Sequence, residues 1–287
     1  MIWNNFKKMK DYKVCRNNAL NKEFCYIHAG TFMMGQSSKE RIELITTFGQ
    51  ERYMEHFNRE LPQHEENVDP FWIAKHPITI SDFSTFTKKT NWITDAEKNG
   101  WSWHRVDGKW KQIQGLFWCA PGYPQGDQHP AVHLSWYDAI GFAEWMTSIS
   151  GDKFDLPSAA EWEYAARGGD CENFYSGSND VYRVAWIEDN CGGNPQPVGI
   201  KANNGFGLHD MSGNVWEWCK DFFDTHNYKK CILKNRSDLS TNTRRVSRGG
   251  AWHNTRHYVR CANHHGTDPI YHGSNFGLRL SMYKSSR

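Results

Sequence analysis

The sequence predicts an α+β fold of small twisted antiparallel sheets, a few helices and much irregular loop. Helix-start signatures recur from Thr79 to Glu161, and beyond Gly168 the chain reads as short strands between Asn/Gly/Pro turns. With 14 Trp, 16 Phe and 12 Tyr and a modest aliphatic content, the core is expected to be built from large rings joined by their polar edges. No repeat, low-complexity linker or composition break divides the chain, so one domain is expected over 23–287, after a polar, Asn/Lys-rich arm over 1–22.

In chain order, Phe24-Cys25-Tyr26-Ile27 and Ala29 to Gly35 read as two strands about a glycine turn. The charged stretch from Glu40 to Glu66 reads as a surface insertion with a helix around Arg41–His56, and Phe71 to Lys75 as a strand stopped by Pro77. Thr79-Ile-Ser-Asp82, Ser135-Trp-Tyr-Asp138 and Ser158-Ala-Ala-Glu161 have the capping-box spacing, which satisfies orphan N–H groups at a helix start. The first helix puts Phe83 and Phe86 on one face, the second spaces Ala139, Ile140, Ala143 and Met146 helically, and the third stops at Gly168-Gly169. Thr94-Asp-Ala-Glu97 reads as a short extra helix, and 101–128 as turn-rich and aromatic. Beyond Gly168 the expectation is short strands between Asn/Gly/Pro turns, and Trp216 and Trp218, alternating with Val215 and Glu217, are expected to point inward together.

A net charge of +2, from 34 basic and 32 acidic residues, gives no global basic field, so nucleic acid is not an expected partner. No run is apolar or long enough for a signal peptide or a membrane span. Eight cysteines stand singly, without CxxC pairs or zinc spacing, as expected of reduced buried thiols in a cytoplasmic protein.

The last forty residues are unusual. Two fixed-looking ends, Arg248-Gly-Gly-Ala-Trp252 and Asn275-Phe-Gly-Leu-Arg279, bracket an interior with neither the alternation of a strand nor the apolar spacing of a helix. Gly266, Pro269 and Gly273 mark that interior as irregular loop, and loops held on a rigid frame are where binding groups usually sit. The candidate ligand-binding residues are His253, Asn254, Thr255, His257, Tyr258, His264, His265, Gly266, Ile270, Tyr271, His272, Gly273 and Ser274. Tyrosines and histidines would be amphipathic anchors and Gly, Ser and Asn adaptable contacts.

Seven blocks, in order, resemble the formylglycine-generating enzyme (sulfatase-modifying factor) family, a variant of the C-type lectin fold. They are Ala29–Gly35, Phe71–Lys75, His129–Trp136, Leu156–Gly169, Asn204–Trp218, Arg248–Trp252 and Asn275–Arg279, and their order and spacing follow the family from about residue 24 to 282. The resemblance implies Ca²⁺ in some members, for which Asn214 and Glu217 are the candidates here. Two oxygens are far short of the roughly six to eight that Ca²⁺ takes, and satisfying buried backbone groups is the competing role for both side chains. No other cofactor is assigned.

The family's oxidases are implied to use a C-terminal cysteine pair that binds copper and exchanges with a substrate thiol. The first position here is Asn254, and the second falls at Val259 or, with a gap, near His257. Without thiolates, that chemistry is not expected. A metal-dependent oxidase using iron or copper on loop histidines, including His253, His257, His264, His265 and His272, is the alternative. The same frame also resembles the variable proteins of diversity-generating retroelements, in which codons for Asn are randomised at adenines. Randomising both adenines of such a codon cannot produce Lys, Glu, Gln, Met or Trp, and none of them occurs from His253 to Leu280. The resemblance implies a C-type-lectin scaffold with a variable-type segment over 252–275 that binds a protein or other macromolecule, in a cytoplasmic or virion-associated setting.

Overall fold

Each Ser or Thr placed three residues before a carboxylate closes the reciprocal bonds that its spacing calls for. In the computed structural model, which describes residues 13–17, 20–170, 172–223 and 244–284, such boxes start α1 (Ser38–Phe48), α3 (Ile80–Thr90), α4 (Asp95–Asn99), α5 (Trp136–Ser150) and α6 (Ala159–Arg167), from Ser37, Thr79, Thr94, Ser135 and Ser158. α2 (Gln50–His56) follows α1 across Gly49, so the single helix expected around Arg41–His56 is two. The last α-helix among the described residues, α7 (Val181–Val184), is four residues long. Phe83 and Phe86 are both buried, as their shared face requires.

The strands are β1 (Val14–Asn17), β2 (Lys22–Ile27), β3 (Gly30–Met34), β4 (His64–Val68), β5 (Phe71–Ala74), β6 (Trp101–Val106), β7 (Lys109–Gln114), β8 (Lys153–Asp155), β9 (Trp216–Phe222), β10 (Arg245–Arg248), β11 (His264–Thr267), β12 (Phe276–Gly277) and β13 (Ser281–Tyr283). An antiparallel five-stranded sheet in the order β1-β2-β5-β13-β8 joins both ends of the described chain, with Cys25 opposite Ile73 and Ile73 opposite Ser281. A second sheet runs β11-β10-β9-β12. Its β12–β9 pair is parallel, with Phe276 beside Trp216, so not every pairing is antiparallel. β3–β4 and β6–β7 are separate two-stranded units.

Three expectations need correction. Part of the polar arm is strand: β1 pairs in register with β2, whereas residues 1–12 lie outside the described residues, as do Cys171 and Cys231. The turn-rich stretch after Trp101 opens with the β6–β7 hairpin, whose pattern the interleaved Lys and Gln obscured. Finally, Trp216 and Trp218 do enter the core, but Val215 and Glu217 on the opposite face are buried too. β9 is covered on both sides, so alternation there does not separate core from solvent.

The core has two large parts. One gathers Phe83, Phe86 and Phe142 of α3 and α5 with Trp218, Trp252 and Phe276; the other lies beneath α6 around Trp162 and Tyr164, with Phe32 and Phe71. The polar edges of the two fully buried tryptophans are satisfied, Trp218 Nε1 donating to the Leu134 carbonyl at 3.1 Å and Trp162 Nε1 to Glu217 at 2.7 Å, whereas Trp118 Nε1, Trp186 Nε1 and the Tyr123 hydroxyl are buried without a hydrogen-bond partner.

Candidate binding face

The C-terminal segment is pinned at both ends before it displays anything. Gly249 and Gly250 have φ of 92° and 72°, and a Cβ on Gly250 would lie 2.6 Å from Val259 Cγ1, so the chain turns too tightly there for any side chain. Arg248 enters beneath the segment, fully buried, pairing with Glu163 at 3.0 Å and donating to the Ala262 carbonyl at 3.1 Å. At the far end Arg279 pairs with Glu217 at 2.8 Å and donates to the carbonyls of Ala74 and His209. Glu217 is thus held by Arg279 and Trp162, and Asn214 exchanges bonds with the Gln196 backbone at 3.0 Å in each direction. Both side chains do the structural work that competed with Ca²⁺ ligation.

The charged insertion supports the middle of the segment. Buried Arg260 donates to Glu60 at 2.7 and 2.9 Å and to Glu40 at 3.2 Å. The Tyr258 ring lies 5.2 Å from Phe57, and His257 meets Phe48 edge-on at 4.7 Å. The insertion is therefore a fixed wall rather than a surface ornament.

Between this wall and the second sheet opens a cleft of about 490 Å³. Of the expected residues, His253, Asn254, Tyr258, His265, Gly266 and Tyr271 line it. His253 packs edge-on against Trp110 at 4.9 Å, and burial together with the charge of Arg105 pushes its pKa down to about 3. Tyr271 stacks on Trp103 and donates to Asn275 at 3.1 Å. Thr255 and Ile270 are exposed, Ile270 by 60 %, but neither lines the cleft, and His257 is half-buried against the insertion.

The remaining expected contacts are corrected. His264, 3 % exposed, packs against Phe223, and His272, 1 % exposed, bonds to Asn99 and Ser102. Gly273 and Ser274 are buried, and the Ser274 carbonyl accepts from Trp252 Nε1 at 3.0 Å. Gly266 lines the cleft by its backbone only, since a Cβ there would lie 2.1 Å from the Phe223 ring. The segment is not all loop: β11 pairs with β10, which turns His264 and Gly266 inward, and His272 to Ser274 are held against β6, where Trp103 N donates to the His272 carbonyl and the Trp103 carbonyl accepts from Ser274 N.

Sequence reasoning missed His56, Arg59, Trp110 and Arg244 in the cleft lining. The length and charge of the insertion could have suggested the first two; the hairpin that delivers Trp110 left no clear pattern. The histidines do not converge, and among the described residues no group of three or more His, Cys, Asp or Glu side chains is placed to hold a metal. At the position of the family's first cysteine, Asn254 accepts from Ala251 N at 2.9 Å, and Val259 is fully buried.

The model of the sulfatase-modifying factor enzyme 1-like domain matches residues 11–283. The formylglycine-generating enzyme of Thermomonospora curvata is 32% identical over 232 residues, covering 67% of this chain and 74% of that enzyme. Among solved structures, PvdO of Pseudomonas aeruginosa superposes with a TM-score of 0.74 at 24% identity, covering 95% of this chain and 98% of that one. Treponema denticola variable protein 1 superposes with a TM-score of 0.65 at 18% identity, covering 94% and 98%. At those identities the two structures establish the fold, which is C-type-lectin-like. The matched domain and the identity to the Thermomonospora enzyme place this chain in the sulfatase-modifying factor family.

Proposed function

We propose that the chain is a ligand-binding variable protein of the diversity-generating retroelement type, presenting its C-terminal face to a protein or other macromolecule. The observation that carries this reading is the division of labour within one segment. Its ends and its inward residues are locked by buried pairs, while His253, Asn254, Tyr258, His265 and Tyr271 gather around one cleft. The missing Lys, Glu, Gln, Met and Trp between His253 and Leu280 support it, and so does the likeness in fold to a variable protein. Aromatic and imidazole rings on a rigid frame recognise a partner at low entropic cost.

The test is the DNA flanking the gene. The reading expects a near-copy of the segment encoding Trp252–Asn275, differing only at adenines and lying beside a reverse transcriptase gene. The differences should fall on codons of outward residues such as Asn254, Tyr258, His265 and Tyr271. Absence of such a copy, or differences scattered over all bases, would sink diversification.

A further inference from the structure

A second cavity of about 610 Å³ adjoins the cleft, and Arg59, Arg244, His265 and Gly266 line both. Two arginines and an imidazole thus stand at the junction of two open spaces. Arg59 Nε is buried there without a hydrogen-bond partner. Its neighbour Glu60 lends it opposite charge but no hydrogen bond, because both Glu60 oxygens bond to Arg260 and one also accepts from Gln36. Of the acids lining one cavity or the other, Asp268 accepts from Ile270 N through Oδ1 and Glu55 lies 3.7 Å from His56. A guanidinium desolvated on one edge and lacking an oxygen there is an incomplete arrangement. The field is felt locally: the cleft walls desolvate the His265 ring, and Arg59 and Arg244 repel its proton, holding its pKa down to about 4.

We propose that the junction of the two cavities is an oxyanion subsite, in which Arg59 and Arg244 receive a carboxylate or phosphate of the ligand while Tyr258 and Tyr271 hold its neighbouring apolar part. This rests on reading the face as a recognition surface and adds the chemical class recognised. Arginine is suited to the task because its planar fork matches two oxygens at once.

The probes are N-acetylglutamate and inorganic phosphate, titrated into the full chain at constant ionic strength and followed by the His265 ring resonances. At least one should shift them saturably and move the His265 titration upward, since a bound anion offsets the arginine charges. The resonances of His56 and Asp268, which line the cleft, and of Glu55, which lines the second cavity, are assigned in the same spectra. Arg59→Gln should weaken binding about tenfold, the effect of one charge-assisted bond, and Arg59→Lys less, while Arg52→Gln on exposed α2 should leave it unchanged. A response to N-acetylglutamate alone identifies an acidic side chain or chain terminus as the source; a response to phosphate alone identifies a phosphorylated ligand. No saturable shift with either probe, or equal affinity in Arg59→Gln, overturns the subsite. If Arg59→Gln melts early, Arg244→Gln makes the same comparison. Because these probes report only on the junction, a negative result leaves the flanking-DNA test of recognition untouched, and a missing DNA copy leaves a positive titration standing.

Discussion

Trp252 Nε1 donates to the Ser274 carbonyl across 3.0 Å, joining two residues 22 apart in sequence and closing the displayed segment at its base. Trp252 is itself buried, and its backbone N–H donates to the Asn214 carbonyl at 2.8 Å. The bond therefore ties the start and end of the segment to the turn before β9. Trp252→Phe keeps most of the ring but strands a buried carbonyl. The expected loss is about 1–3 kcal/mol, measured by urea denaturation. A loss below a few tenths would show that the segment is not closed this way.

The insertion should be needed for the segment's shape. Arg260→Met leaves Glu40 and Glu60 buried without their cation, and breaking a buried pair from one side costs about 3–5 kcal/mol. The same variant should raise amide exchange at Tyr258 and Asn263, since Arg260 also donates to the His257 carbonyl at 2.8 Å. Unchanged exchange would mean that the wall is dispensable.

How much of this was legible beforehand differs between frame and face. Capping boxes are local: Thr79 needs only Asp82 to start α3, so a single chain segment reveals them. Motif residues such as Arg279 and Glu217 marked the frame, though their pairing joins residues 62 apart. The face is different because its walls come from three places. Arg59 reaches the cleft from the insertion, Trp110 from the hairpin and His265 from β11, and no spacing rule connects them. His264 and His265 show the limit most plainly, being adjacent in sequence, one buried and one exposed, because an unanticipated strand separates them.

Stability should fall with acid through neutral buried histidines. Burial, with His104 adding to it, lowers the His133 pKa to about 3. The folded state therefore keeps His133 neutral while the unfolded state binds a proton below about 6.5. Its contribution is full above that pH and is lost as pH falls toward about 3, at up to about 1.4 kcal/mol per unit. Asp138, Asp210 and Asp221, which burial raises to about 6, act in the opposite sense, protonating first in the folded state. A variant comparison isolates the histidine. His133 has φ of 62°, which asparagine tolerates, so His133→Asn should flatten the pH dependence of unfolding between 6.5 and 5. An unchanged slope would contradict the assignment.

The scattered histidines bear on metal content. His253 contacts Trp110, His264 contacts Phe223 and His272 bonds to Asn99, so they occupy three surroundings. Protein dialysed against a weak chelator should retain less than one equivalent of iron, copper or zinc by elemental analysis. A retained equivalent that disappears in His264→Ala would favour a metal-dependent oxidase.

The central claim is that one segment carries a replaceable face on a fixed frame, and a randomised display library measures it most directly. Codons for Thr255, His265 and Ile270, all exposed, are randomised in one pool, and those for His264, Gly266 and His272, all buried, in another. Folded display is then scored by a frame-specific antibody and thermal challenge. The first pool should stay folded in most members, since surface changes cost within about 0.5 kcal/mol. The second should collapse, because overpacking at Gly266 or orphaned partners at His272 cost several times more. Equal survival of the two pools would contradict the division into face and frame.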